Sequence, residues 1–156
     1  MYKMYKLINI VPFDEISTKD LKIFNNLIEI GKDRNDVRYG LRVISALFVK
    51  GVLCEKNNTT RNYYSRKYYL SLHAERNAIL QYAKTIIKSN GWFNTNGKIK
   101  GKSVIYVLRL HELQGLGCSK PCKECEGIIY KHGIKFIKYT DYIDGKKVIC
   151  TMKIKN

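Results

Sequence analysis

No apolar run in this 156-residue chain is long enough to span a bilayer, so no membrane association is expected. No small-residue cleavage site follows the opening MYKMYKLINIV, and Asp14 and Glu15 soon interrupt it, so it is not read as a signal peptide. A cytoplasmic protein is the expectation. Acidic residues are scarce, with 13 Asp and Glu against 29 Lys and Arg. Cysteines are few and odd in number, five in all, which argues against a disulfide framework and for a metal or reactive site. No internal repeat, like-charge block or linker divides the chain. Residues 1–156 are therefore read as one domain, and an apolar fraction of 45% suits a packed core.

The formal charge of +16 raises the question of a nucleic-acid partner. Its make-up weakens that inference. Lysines outnumber arginines 22 to 7, and Asn, Ile and Tyr are also plentiful. All four types have AT-rich codons, so biased base composition accounts for much of the charge. The excess is spread along the chain and forms no tail. A phosphate-bearing partner fits the charge, whether nucleotide or polymer.

Apolar spacing over residues 19–31 predicts a helix, with Ser17 or Thr18 as cap and Gly31 as stop. Val43 to Val49 and Gly51 to Cys54 read as a hairpin, and the polar, tyrosine-rich run 57–69 reads as a loop. A second helix is expected from His73 until Ser89-Asn90-Gly91, followed by a connection over 90–102. Ser103 to Leu110 is a buried-strand candidate, and Gly115 to Lys120 reads as a loop. Pro121 suits the first turn of a helix running to about His132, with Gly133 as its stop. Lys135 to Tyr139 and Lys147 to Met152 are the last two strands. Strands alternating with helices favour a three-layer α/β/α arrangement.

Cys122 and Cys125 form a P-C-x-x-C at the start of a predicted helix. Two cysteines three apart share one face of a turn and can converge on one ion. Alone, the motif also fits a dithiol redox pair or half of a four-cysteine structural zinc site. His73-Ala74-Glu75 shifts the balance, since it too opens a helix and adds a nitrogen ligand with a carboxylate beside it. Three protein ligands leave a fourth zinc position for water, which marks catalytic sites. Glu75 would then be the acid/base group. A redox pair needs no such partner, and a second C-x-x-C is lacking, because Cys54, Cys118 and Cys150 stand singly.

His73-Ala74-Glu75 with Pro121-Cys122-Lys123-Glu124-Cys125 resembles the zinc signature of the cytidine deaminase-like superfamily, the H-x-E…P-C-x-x-C pattern of base deaminases. The resemblance extends over most of the chain, from about residue 19 to 152. It implies a mixed five-stranded sheet flanked by helices, with the two motif-bearing helices presenting their N-termini side by side. It implies one Zn2+ per chain, held by His73, Cys122 and Cys125, with Glu75 as proton shuttle. Asn58, with Asn57 as rival, takes the place of the family's base- or sugar-binding asparagine, although Lys56 replaces the usual glycine. Ala74 is carried over as a substrate contact through its backbone N–H. Residues 89–102 are an insertion relative to shorter members.

Among these families the Ser119-Lys120-Pro121-Cys122 run is most similar to cytidine and deoxycytidylate deaminases. A transfer-RNA adenosine deaminase more often has an acidic residue where Lys120 stands. The expected function is hydrolytic deamination of a cytosine nucleoside or nucleotide to uracil, with release of ammonia. The alternatives are a deaminase acting on a base within RNA or single-stranded DNA, transfer-RNA adenosine included, and a non-catalytic zinc domain that binds nucleic acid. Arg61 and Arg66 could meet a phosphate, and Tyr63, Tyr64, Tyr68 and Tyr69 could stack on a base or pack over the core. Trp92 and Phe93 suit a subunit contact or a lid, and a homo-oligomer is expected. His111 and His132 are not read as ligands.

Overall fold

The computed structural model describes residues 4–32, 41–49, 52–53, 59–61, 74–76, 78–79, 102–111 and 115–155. Eight strands enter one mixed sheet: β1 (Tyr5–Pro12), β2 (Leu41–Val49), β3 (Val52–Leu53), β4 (Thr59–Arg61), β5 (Ser103–His111), β6 (Gly115–Gly117), β7 (Phe136–Ile143) and β8 (Lys146–Ile154). The helices are α1 (Thr18–Lys32), the helical residues 74–76 and 78–79 (written α2 below), and α3 (Lys123–Lys131). Six strands run in the order β1-β8-β7-β5-β2-β3, while β4 pairs with β2 and β6 with β5. β5 and β7 pair in parallel, and every other described pairing is antiparallel.

The α/β class and the mixed sheet agree with the sequence reading; the count of five strands does not. The three additional strands are β1, β4 and β6. β4 and β6 are three residues each and are held by backbone pairing, to which the side-chain pattern gives no clue. β1 is the sheet edge, and most of its side chains are exposed, so no alternation of apolar and polar residues marks it. The hairpin pairing does appear, with Val49 opposite Val52, while Lys50 and Gly51 lie outside the described residues.

Alternation along the strands divides the core into two layers. Leu47, Ile105, Val107, Ile137 and Tyr139 face one side, where they meet Ala78 and Ile79 of α2 and Ile129 of α3. Ile44, Ala46, Tyr106 and Leu108 face the other, against Phe24 and Leu27 of α1. Helices therefore cover both faces of the sheet. No described helix is long and apolar enough to cross a membrane.

α1 begins where Ser17 Oγ accepts the Asp20 N–H at 3.1 Å, the role of an N-cap. Gly31 does not end this helix; it remains inside it. A Cβ at Gly31 would stand 2.8 Å from Ile44 Cδ1, so the missing side chain lets α1 approach the sheet. α3 does end as expected at Gly133, whose φ of 74° is left-handed. Gly133 N–H donates to Tyr130 O and Ile134 N–H to Ile129 O, the paired bonds of a Schellman motif. The buried Ile129 and Ile134 supply its apolar contact, and the chain turns directly into β7.

A polar staple joins α1 to the sheet. Buried Asp20 accepts the Tyr106 hydroxyl at 2.8 Å and pairs with Lys138. Burial, and then the Asp20 charge, push the Tyr106 hydroxyl far above its ordinary pKa, so it remains a donor. Removing the carboxylate strands two polar groups. Asp20→Ala is expected to lower stability by about 2–4 kcal/mol, and Tyr106→Phe by about 1 kcal/mol, read as shifts of the urea midpoint at unchanged slope. A neutral Asp20→Ala would show that the staple contributes nothing.

Candidate functional site at the carboxyl ends of the parallel strands

In open α/β sheets, ligands gather beyond the carboxyl ends of parallel strands, where neighbouring connections diverge. Here that place lies beyond the β5–β7 pair. The parallel register runs from Val104–Phe136 to Val107–Tyr139. Past it, β6 lies along β5 instead, with Gly117 opposite Arg109. The chain then crosses the strand ends and enters α3.

Ser119 fastens this crossing. Its N–H donates to Thr140 O at 2.8 Å, and its Oγ accepts the Thr140 N–H at 2.8 Å. The same Oγ donates to Val107 O at 2.8 Å and lies 2.8 Å from Thr140 Oγ1. Thr140 Oγ1 donates in turn to Gly117 O at 2.7 Å. β5, β6 and β7 are thus tied together three residues before Cys122, and Ser119 itself is buried.

Cys122 is the N-cap of α3, with extended backbone, and its Sγ accepts the Cys125 N–H at 3.4 Å. The expectation that Pro121 occupies the first helical turn is therefore corrected. The sulfur has taken the capping role, and Pro121 lies one residue ahead of it. Cys122 is exposed and Cys125 is buried. Glu75, in α2, is buried with only 4% of its surface exposed. Burial, and next the Glu75 carboxylate, push the Cys125 thiol well above its ordinary pKa, and Cys122 and Glu124 add to the effect. Glu75 thus stands within electrostatic reach of Cys125, although fifty residues separate them in sequence. The fold brings one end of each motif together.

Two sulfur donors on one turn beside a buried carboxylate are a donor set that suits zinc, which binds thiolates near 2.3 Å. Among the described residues, no three His, Cys, Asp or Glu side chains form a metal-binding group. His73, the expected third ligand, lies outside the described residues, as do Asn57 and Asn58. Ala74, a helical residue of α2, is fully buried. Arg66, the tyrosines 63, 64, 68 and 69, Trp92, Phe93 and the side chains of Arg61 and His111 also lie outside the described set. His132 caps the far end of α3, with Nδ1 2.7 Å from Ile128 O, and burial holds its pKa below the ordinary value. It is remote from Cys122 along the helix. Cys150 is buried in the core.

Two contributors went unrecognised in the sequence. In the sequence Ser119 is one residue of the run preceding Pro121, and Arg109 one residue of a strand. A lone cation within SVIYVLRL was the available signal for Arg109.

Ser119→Ala removes a hub that several buried groups share. A loss of about 1–3 kcal/mol is expected, with a similar loss for Thr140→Val and a double-mutant loss smaller than the sum. Additive losses in urea melts would refute a shared knot.

Comparison with protein-family models gives no match to this chain, and comparison with curated proteins gives no significant match either.

Proposed function

We propose that the protein is a zinc-dependent hydrolytic deaminase of a cytosine nucleoside or nucleotide, with a cytidine deaminase-like fold. The observation that carries this reading is the buried Glu75 carboxylate within electrostatic reach of Cys125, at the head of the helix that Cys122 caps. A redox dithiol needs no partner of this kind. A hydrolytic site does need a proton carrier.

In this proposal His73, Cys122 and Cys125 hold one zinc ion. Zinc supplies Lewis acidity that lowers the pKa of a water molecule to about 7. Glu75 accepts a proton from the attacking water and delivers it to the ring nitrogen next to C4. It then passes the second proton to the departing amine, so that cytosine and water become uracil and ammonia. Burial of Glu75 keeps bulk water from competing for these protons. The buried backbone at Ala74 offers its N–H to the pyrimidine carbonyl, and Asn58 contacts base or sugar. The +16 charge favours a second reading, in which the base belongs to RNA or single-stranded DNA.

Glu75→Ala is expected to keep one zinc per chain and to lose about 10²–10⁴-fold in kcat for ammonia release. Cys122→Ser and Cys125→Ser are expected to lose zinc. Assays use cytidine, dCMP and single-stranded oligonucleotides. A zinc-loaded wild type that releases no ammonia from any of them, and matches Glu75→Ala throughout, would end the enzyme reading. Turnover of oligonucleotides alone would select the polymer substrate.

A further inference from the structure

Arg109 is held in place, yet no carboxylate of the described residues pairs with its charge. It projects from β5 two residues beyond Val107, hence on the face that α2 and α3 cover, at the carboxyl end where Cys122 follows. Its methylenes run alongside Gly117, and Nη1 donates to Cys118 O at 3.3 Å. Nε is buried and has no hydrogen-bond partner. No carboxylate of the described residues forms an ion pair with it, and Asp20 is taken up by Lys138. Asp141, on the neighbouring strand end, accepts the Tyr142 N–H and hydrogen-bonds the Cys118 thiol. A buried donor left unpaired costs about 1–3 kcal/mol, and a guanidinium without a counter-charge among the described residues is matched in shape to a phosphate. The α3 N-terminus is a poorer anion site, because Glu124 and Glu126 occupy its first turn.

We propose that Arg109 contacts a phosphate group of the ligand, so that the substrate is a cytosine nucleotide and not the free nucleoside. The base and its chemistry rest on the deaminase reading above; the phosphate contact does not. An approach from solvent meets the exposed Nη end of the guanidinium, whose N–H groups can pair with phosphate oxygens. The loop 118–121 carries the exposed Lys120 beside this position, and the chain's excess of cations draws the same ligand class.

The test is calorimetric binding to the zinc-loaded protein of cytidine, cytidine 5′-monophosphate, ribose 5-phosphate and a short single-stranded oligonucleotide. Wild type is expected to prefer the monophosphate over cytidine by about tenfold to a hundredfold. Arg109→Gln removes that preference and leaves cytidine affinity unchanged, while Arg109→Lys keeps part of it. Equal weakening of cytidine and its monophosphate, or no change in either, overturns the proposal. An Arg109→Gln loss confined to the oligonucleotide overturns the mononucleotide and assigns the phosphate to a polymer. If no cytosine ligand binds but ribose 5-phosphate binds wild type and not Arg109→Gln, the deaminase reading fails and the phosphate contact stands. Should Arg109→Gln not fold, inorganic phosphate is titrated against the wild type. Displacement of the monophosphate but not of cytidine supports the contact, and no displacement overturns it.

Discussion

The parallel pairing of β5 with β7 is the constraint on which the rest of the molecule depends. A chain that leaves β5 and must enter β7 in the same direction has to cross over, and α3 is that crossover. The helix therefore begins beyond the carboxyl end of β5, and its N-terminus falls where the sheet opens. Cys122 is its cap and Cys125 its first buried position, so the dithiol is delivered to that opening by topology alone. α2 lies on the same face of the sheet and brings the Glu75 charge within electrostatic reach of Cys125.

Ser119 makes this junction a fixed geometry rather than a loose loop. β6 lies along the end of β5, and the hydrogen bonds among Ser119, Thr140, Val107 and Gly117 close the gap that would otherwise separate the strand ends. On the opposite face Asp20 ties α1 to Tyr106 and Lys138, which belong to β5 and β7 themselves. The parallel pair is thus clamped from both faces. Rigidity at this point matters for any site built on it, because misplacing reacting groups by an ångström is costly.

Much of this was legible in the sequence. The helical spacing of Leu21, Phe24, Leu27 and Ile28 found α1, and Gly133 found the end of α3, because a left-handed residue favours glycine and the sequence supplies one. The apolar run from Ser103 found β5, and the paired motifs single out Glu75 and the two cysteines as candidates. What was missed is backbone-driven. β4 and β6 are short segments recruited by neighbouring strands, and β1 exposes Leu7, Ile8 and Ile10 on the sheet edge, where pattern carries little information. Gly31 reads as a stop in isolation, and only the position of Ile44 reveals it as a point of close approach. Arg109 and Ser119 act through partners such as Cys118 and Thr140, and no local pattern encodes those distances.

The proposed zinc site stands or falls on whether Cys122 and Cys125 share one ion. X-ray absorption at the zinc edge of the purified, zinc-loaded protein reads the donor set directly. Two sulfurs near 2.3 Å and one histidine nitrogen with one further light atom near 2.0 Å are the predicted shell. A shell of four sulfurs, or one with no sulfur at all, would contradict a hydrolytic zinc site built from these two helices.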